Sequence, residues 1–143
     1  MSTPGWSPER ASEWLLERGM FGMRPGLERI RTLLAELGDP QRGFRAVHLV
    51  GTNGKSSTAR FAASILTELG VRSGAYVSPH PIGFEERVVL PGRGGLEQVS
   101  PEVLGEAVAR VAAAVERIEP ALEDGDRITQ FEAVTAAAFL LFR

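Results

Sequence analysis

A single lysine, Lys55, stands among the sixteen basic residues of this 143-residue chain. Its setting is Val47-His48-Leu49-Val50-Gly51-Thr52-Asn53-Gly54-Lys55-Ser56-Ser57-Thr58. A turn of glycines and small residues lets main-chain amides wrap an anion closely. A helix opening directly after it adds unpaired N–H groups and the positive end of the helix dipole. Lys55 would set a compact charge against β- and γ-phosphates, and a hydroxyl just after it can ligate Mg²⁺. Arginine, the basic residue used everywhere else, is a wider planar donor that suits a tight loop poorly. The candidate ATP-binding residues are therefore Gly51, Thr52, Asn53, Gly54, Lys55, Ser56 and Ser57, with Lys55 as the catalytic charge. ATP and Mg²⁺ are the expected cofactors. The pattern G-x-x-x-x-G-K-[ST] would need glycine where Leu49 stands, whereas the shorter G-T-x-G-K-[ST]-[ST] fits from Gly51 to Ser57. The competing reading is a surface turn capped by Ser56 or Asn53.

The elements that must position this loop follow from pattern. Arg45 to Val50 is a short apolar run with two valines and reads as a buried strand. A helix then runs to about Leu69, with Ala62, Ile65, Leu66 and Leu69 as its expected buried face, and Gly70 stops it. Val71 to Val77 reads as a second strand, so the region forms a βαβ unit with parallel strands. Glu86 to Leu90 reads as a short edge strand and Pro91 to Gly95 as a turn-rich loop. Upstream, Ser7-Pro8 opens a helix over 8–18, and Pro25 opens another that carries Leu27, Ile30, Leu33, Leu34 and Leu37 to a stop at Gly38. Downstream, Ser100-Pro101 opens a helix to about Glu119 with Leu104, Ala107, Val108, Val111, Val115 and Ile118 on one face. Thr129 caps a final, largely apolar helix over 130–142, and a buried helix at Arg143 leads us to expect that the natural polypeptide continues. The fold class expected is α/β, three-layer, with a mostly parallel sheet.

Composition narrows the function classes. A net charge of −2 and a pI of about 5.7 disfavour a strong electrostatic nucleic-acid or membrane binder. With no cysteine there is no disulfide framework, thiolate zinc site or thiol nucleophile. The polar N-terminus lacks a signal-peptide pattern and the longest apolar run, Ala136 to Phe142, is far short of a membrane span, so the expected location is cytoplasmic.

Four stretches resemble the folylpolyglutamate synthase/dihydrofolate synthase family of the Mur ligase superfamily. They are Phe21-Gly22 with Pro25-Gly26-Leu27-Glu28-Arg29-Ile30, the loop Gly51 to Ser57, Ser78-Pro79-His80 with Glu86-Arg87-Val88, and Thr129-Gln130-Phe131-Glu132. Order and spacing agree across nearly the whole chain. Ser56 departs from the family's usual glycine and Pro81 from its usual leucine. The resemblance implies residues 1–143 as the amino-terminal part of the ATP-binding P-loop domain, with the remaining ATPase elements and a carboxy-terminal domain absent. It implies an ATP-dependent ligase that joins L-glutamate to dihydropteroate or folate through an acyl phosphate, working as a monomer at full length without nucleic acid or membrane. It also implies Ser57, Ser78 and Glu132 as Mg²⁺ ligands, with Ser56 the competitor to Ser57. Two other outcomes are carried as alternatives: a peptidoglycan-type amino-acid ligase, and a truncated nucleotide-binding remnant without turnover.

Several of these residues have blander readings. Glu132 follows Thr129 by three, which is also the spacing of a capping box. Ser78 could simply end a strand before Pro79. His80 is a substrate contact or a loop histidine. Phe21 and Phe131 could face a flat pterin ring or pack in a core. His48 reads as a satisfied core residue, and Arg24, Arg29 and Arg31 as a solvated face.

Overall fold

The computed structural model describes residues 5–19, 26–79, 82–122 and 125–143. Two compact units emerge: a helical one from Met1–Phe44 and Pro101–Arg143, and an α/β one spanning Arg45–Ser100.

The helical unit contains α1 (Pro8–Glu17), α2 (Glu28–Glu36), α4 (Pro101–Ile118) and α5 (Gln130–Phe142). The start of α1 is the expected one: the Ser7 side chain accepts from the Arg10 amide at 3.3 Å, and Pro8 takes the first helical position, where its missing N–H costs nothing. The α4 face is buried as its spacing predicts, with Val108, Val111 and Val115 fully enclosed. Against it lie Ala133, Val134, Ala136, Ala137 and Ala138 of α5, also fully buried. A run of small side chains lets the two helix backbones approach closely, which is why so apolar a helix as α5 can be covered by its neighbours. In α2 the buried residues are Leu33 and Leu34, while Leu27 is exposed.

Charge ties this unit together. Arg18 donates to both Glu119 oxygens, at 2.6 and 3.3 Å, and to the Ile128 carbonyl at 3.0 Å, and it lies over the Trp14 ring. Glu119 also accepts from the Ile128 amide. Burial pushes the Glu119 carboxyl up, but the hydrogen bonds from Arg18 and Ile128 outweigh it and leave the group below the usual carboxylate value. A carboxyl depressed in the folded state stabilises above its unfolded pKa of about 4.3, and that contribution disappears as pH falls through the lower folded value. Urea unfolding measured from pH 7 down to pH 3 should therefore show stability dropping below about pH 4, with a shallower drop in Glu119→Gln. Equal slopes in the two proteins would contradict the assignment.

The α/β unit contains α3 (Lys55–Glu68), β1 (Ala75–Tyr76), β2 (Val88–Gly92) and β3 (Gly95–Gln98). The strands form one antiparallel sheet in the order β1-β2-β3, with Ala75 opposite Val89, and Val89 opposite Gln98. The turn-rich segment Pro91 to Gly95 is a hairpin connection, Gly92 pairing with Gly95. Among the described residues β1 pairs only with Val88 and Val89, so Pro91, which lacks an N–H, sits where β2 has β3 alone beside it.

These findings correct the sequence reading. The chain is α/β, but the sheet among the described residues is antiparallel rather than parallel. Residues 45–50 lie in no strand, and the second expected strand shrinks to Ala75–Tyr76. A strand needs a neighbour for its amides and a cover for its side chains. Among the described residues 45–50 has neither: Val47 and Val50 are 87% and 80% exposed, and His48 is exposed rather than a core residue. The face of α3 is also reversed. The small core of this unit is Ala63, Ala75, Val77 and Val89, with Ala59 and Leu96 against it. The sheet thus meets the alanines of α3, while Ile65, Leu66 and Leu69, the expected buried face together with Ala62, point to solvent.

Candidate functional site

The glycine turn leads from 45–50 into α3. Gly54 is the N-cap of that helix, in the left-handed conformation at φ 74° and ψ −2°. An added Cβ there would meet no heavy atom within 4 Å, so the backbone conformation, not crowding, calls for glycine. No side chain caps α3, so the turn capped by Ser56 or Asn53 is not what forms. The first closed backbone bond runs from the Thr58 amide to the Gly54 carbonyl at 2.9 Å. The amides before it belong to the open first turn of a helix, which favours an anion.

Lys55 is exposed and folds back over the loop that precedes it. Its Nζ donates to the Gly51 carbonyl at 2.5 Å and the Thr52 carbonyl at 3.2 Å. The ammonium is thereby held over the turn formed by Gly51 to Gly54, without any counter-charge from a carboxylate among the described residues. Such an arrangement can accept a polyphosphate by exchanging two neutral acceptors for charged ones.

Ser78 is brought to the same place. Ser56 Oγ reaches the Ser78 carbonyl in a long contact of 3.4 Å, so the segment after β1 passes the first turn of α3. Ser57 is exposed in that turn. The next stretch is anchored further along: Arg60 donates to the Glu86 carbonyl at 2.8 Å, and Glu86 Oε1 accepts from the amides of Ile82 and Gly83, both at 2.8 Å. The Glu86-Arg87 part of the third resembling stretch thus fixes the return of the chain into β2. Sequence spacing gave no sign of Arg60 in this role.

Glu132 belongs to the helical unit, at the third position of α5. Its Oε2 accepts from the Thr129 amide at 2.8 Å and the Thr129 hydroxyl at 2.9 Å, and the Glu132 amide donates to Thr129 Oγ1 at 3.3 Å. The capping box is therefore formed. Arg29 Nε donates to the same carboxylate at 3.3 Å from Oε1, and Arg29 Nη1 lies 3.6 Å from Asp126. Glu132 is 6% exposed, so this is a largely buried pair. Arg29 is no part of a solvated face; 103 residues separate it from Glu132, a distance no local pattern bridges. Arg31 is exposed as expected.

Phe131 is 58% exposed in the first turn of α5, so it does not pack in a core. Phe21 and His80 lie outside the described residues, as does Arg24. A cavity of about 140 Å³ in the helical unit, lined by Trp14, Arg18, Arg127 and Thr129 among others, is well below the usual volume of a small-molecule site. Among the described residues no three His, Asp or Glu side chains gather as a metal cluster. Ser57 and Ser78 carry hydroxyl oxygens, a donor type that suits a hard cation.

The dihydrofolate synthase/folylpolyglutamate synthase of Bacillus subtilis is 39% identical over 132 residues, 92% of this chain. The Mycobacterium tuberculosis folylpolyglutamate synthase (FPGS) complexed with ADP superposes with a TM-score of 0.84 at 31% identity, over 94% of this chain. The chain is a homologue of the folylpolyglutamate/dihydrofolate synthases. An FPGS–AMPPCP–folate complex superposes equally well, with a TM-score of 0.82 at 34% identity, covering 96% of this chain and 32% of that one. No protein-family model matches the chain. It spans about 29% of the length of the Bacillus synthase, and 29% of the Mycobacterium FPGS chain. Among the described residues no helix is long and apolar enough to cross a membrane.

Proposed function

We propose that this chain supplies the phosphate loop and part of the Mg²⁺ site of an ATP-dependent ligase that adds L-glutamate to dihydropteroate or folate. It corresponds, in this reading, to the amino-terminal part of the synthase ATP-binding domain, whose sheet becomes mostly parallel when the rest is present. The supporting observation is the uncapped, left-handed-glycine entry to α3 with the sole lysine folded over it, in a homologue of FPGS proteins solved with ADP and with AMPPCP and folate.

The reading assigns these roles. The amides of Gly51 to Ser57 cradle the phosphates, and Lys55 trades the Gly51 and Thr52 carbonyls for β- and γ-phosphate oxygens. Ser57 and Ser78 would hold Mg²⁺ through their hydroxyl oxygens, and Ser56 Oγ lies 3.4 Å from the Ser78 carbonyl. Glu132 lies in the helical unit, where its Oε1 accepts from Arg29; its expected part in holding Mg²⁺ rests on the family resemblance alone. Bound Mg²⁺ would neutralise charge on the β- and γ-phosphate oxygens. Phosphoryl transfer of this kind is mostly positioning and charge stabilisation. A substrate carboxylate oxygen attacks the γ-phosphorus and ADP leaves. The glutamate amine then attacks the acyl carbon, phosphate departs and the amine loses its proton, leaving an amide. Phe131 offers an exposed aromatic face to the pterin, and Phe21 and His80 complete the proposed substrate contacts.

The test is a chimaera in which residues 1–143 replace the matching segment of the Bacillus synthase. Glutamate-dependent phosphate release with dihydropteroate, and none with a UDP-sugar acceptor, is the expected result. A folded chimaera that binds MgATP but releases no phosphate with dihydropteroate would refute the ligase reading.

A further inference from the structure

The start of α5 is held on two sides. Gln130 Nε2 donates to the Leu15 carbonyl at 3.1 Å, across 115 residues of chain. Leu15 stands in the last turn of α1, where carbonyls have no partner in their own helix, so this bond serves an acceptor that α1 leaves open. Glu132, two residues further on, is tied inward to Arg29 and to Thr129. Successive helical residues are turned by about 100°, so Gln130 and Glu132 lie on nearly opposite sides of α5 and Phe131 falls on the face between them. Phe131 is the exposed member of the three. The two ties therefore fix the rotation of the helix, and with it the direction in which the Phe131 ring leaves it.

A second clasp holds the chain just before the helix. Ile128 is buried and both of its backbone groups are taken: the amide donates to Glu119 at 3.0 Å, and the carbonyl accepts from Arg18 at 3.0 Å. Leu15 and Arg18 are three residues apart, so both clasps come from one face of the end of α1. We propose that Gln130, with Arg18 behind it, is a positioning residue for the substrate contact of Phe131, setting the aromatic ring at the angle a flat pterin ring needs. Stacking depends on ring geometry, so a turned α5 loses the pterin and leaves the nucleotide untouched. The inference rests on the Phe131 contact of the proposed function, but not on the phosphate loop or on turnover.

The experiment uses the Bacillus chimaera. Calorimetry reads the dissociation constant for dihydropteroate in the presence of Mg²⁺ and AMPPCP, and separately that for MgADP. Gln130→Glu keeps the size of the side chain and places an acid in the first turn of α5, which the helix dipole favours, but it sets an acceptor against the Leu15 carbonyl. It should bind dihydropteroate about fivefold more weakly, and Phe131→Ala about tenfold, the size of one stacking contact. The double variant should lose no more than Phe131→Ala, because a residue that acts through another adds nothing once the other is gone. MgADP affinity should be unchanged in all three. Gln130→Ala, which removes the donor without adding charge, should match Gln130→Glu. A double variant about 50-fold weaker, the product of two independent losses, would overturn the inference. So would Phe131→Ala without effect, or an equal loss of dihydropteroate and MgADP affinity, which a merely structural bond produces. Failure of both Gln130 variants to fold, or no dihydropteroate binding in the parent chimaera, would also overturn it. The expected coupling without glutamate-dependent phosphate release would refute the ligase reading and sustain this one. Phosphate release with unchanged dihydropteroate affinity in both Gln130 variants would do the reverse.

Discussion

Lys55→Ala should weaken binding of MgADP to the loop by roughly 100-fold. A charge-assisted hydrogen bond contributes about 1.5–3 kcal/mol, and in the proposed function Lys55 offers its ammonium to more than one phosphate oxygen. The fold should be indifferent to the change. Lys55 is exposed, and its ammonium is held by the carbonyls of Gly51 and Thr52, both exposed residues that water can serve instead. Calorimetric titration with MgADP and a melting curve on the same samples check both halves. Lys55→Arg should recover little, since a planar guanidinium cannot replace a compact charge inside a four-residue turn. Equal affinity in wild type and Lys55→Ala would leave the lysine without a role in binding.

Arg29→Met should be the most destabilising change in the helical unit. It leaves Glu132 buried, 6% exposed, with its main counter-charge gone. Breaking a buried pair from one side costs about 3–5 kcal/mol. For a chain of this size that lowers the melting temperature by on the order of 10 °C. The double variant Arg29→Met/Glu132→Gln should regain a large part of the loss, because the uncompensated charge is removed while the amide still caps α5. Urea unfolding of the two single variants and the double variant measures this. A loss under about 1 kcal/mol in Arg29→Met, the size of an ordinary surface pair, would mean that the carboxylate finds water or another partner.

The difference between these two sites shows what a sequence makes legible. Local devices could be read directly. Ser7-Pro8, the α4 stripe and the Thr129–Glu132 box each involve residues in chain proximity, and each forms as its spacing predicts. The glycine turn that opens α3 was legible for the same reason, since its residues follow one another in chain order. What depended on partners was not legible. The valines of 45–50 carry a strand pattern, but a pattern is realised only when a neighbour supplies hydrogen bonds and cover. On α3 both faces are apolar, so periodicity alone could not say whether alanines or large residues meet the sheet. Arg29 was misjudged because its partner lies 103 residues away. Glu132 carried two readings from the outset; its capping box and ion pair are now visible, while its role toward a cation belongs to the proposal.

The central claim is that Gly51 to Ser57 grips the phosphates of a nucleotide. Amide NMR spectra of the ¹⁵N-labelled chain, titrated with MgADP, test it most directly. The expected result is a set of shifts concentrated at the amides of residues 51–58, saturating with one nucleotide and vanishing in Lys55→Ala. Saturable shifts centred elsewhere in the chain, or shifts at 51–58 that persist unchanged without the lysine, would contradict it.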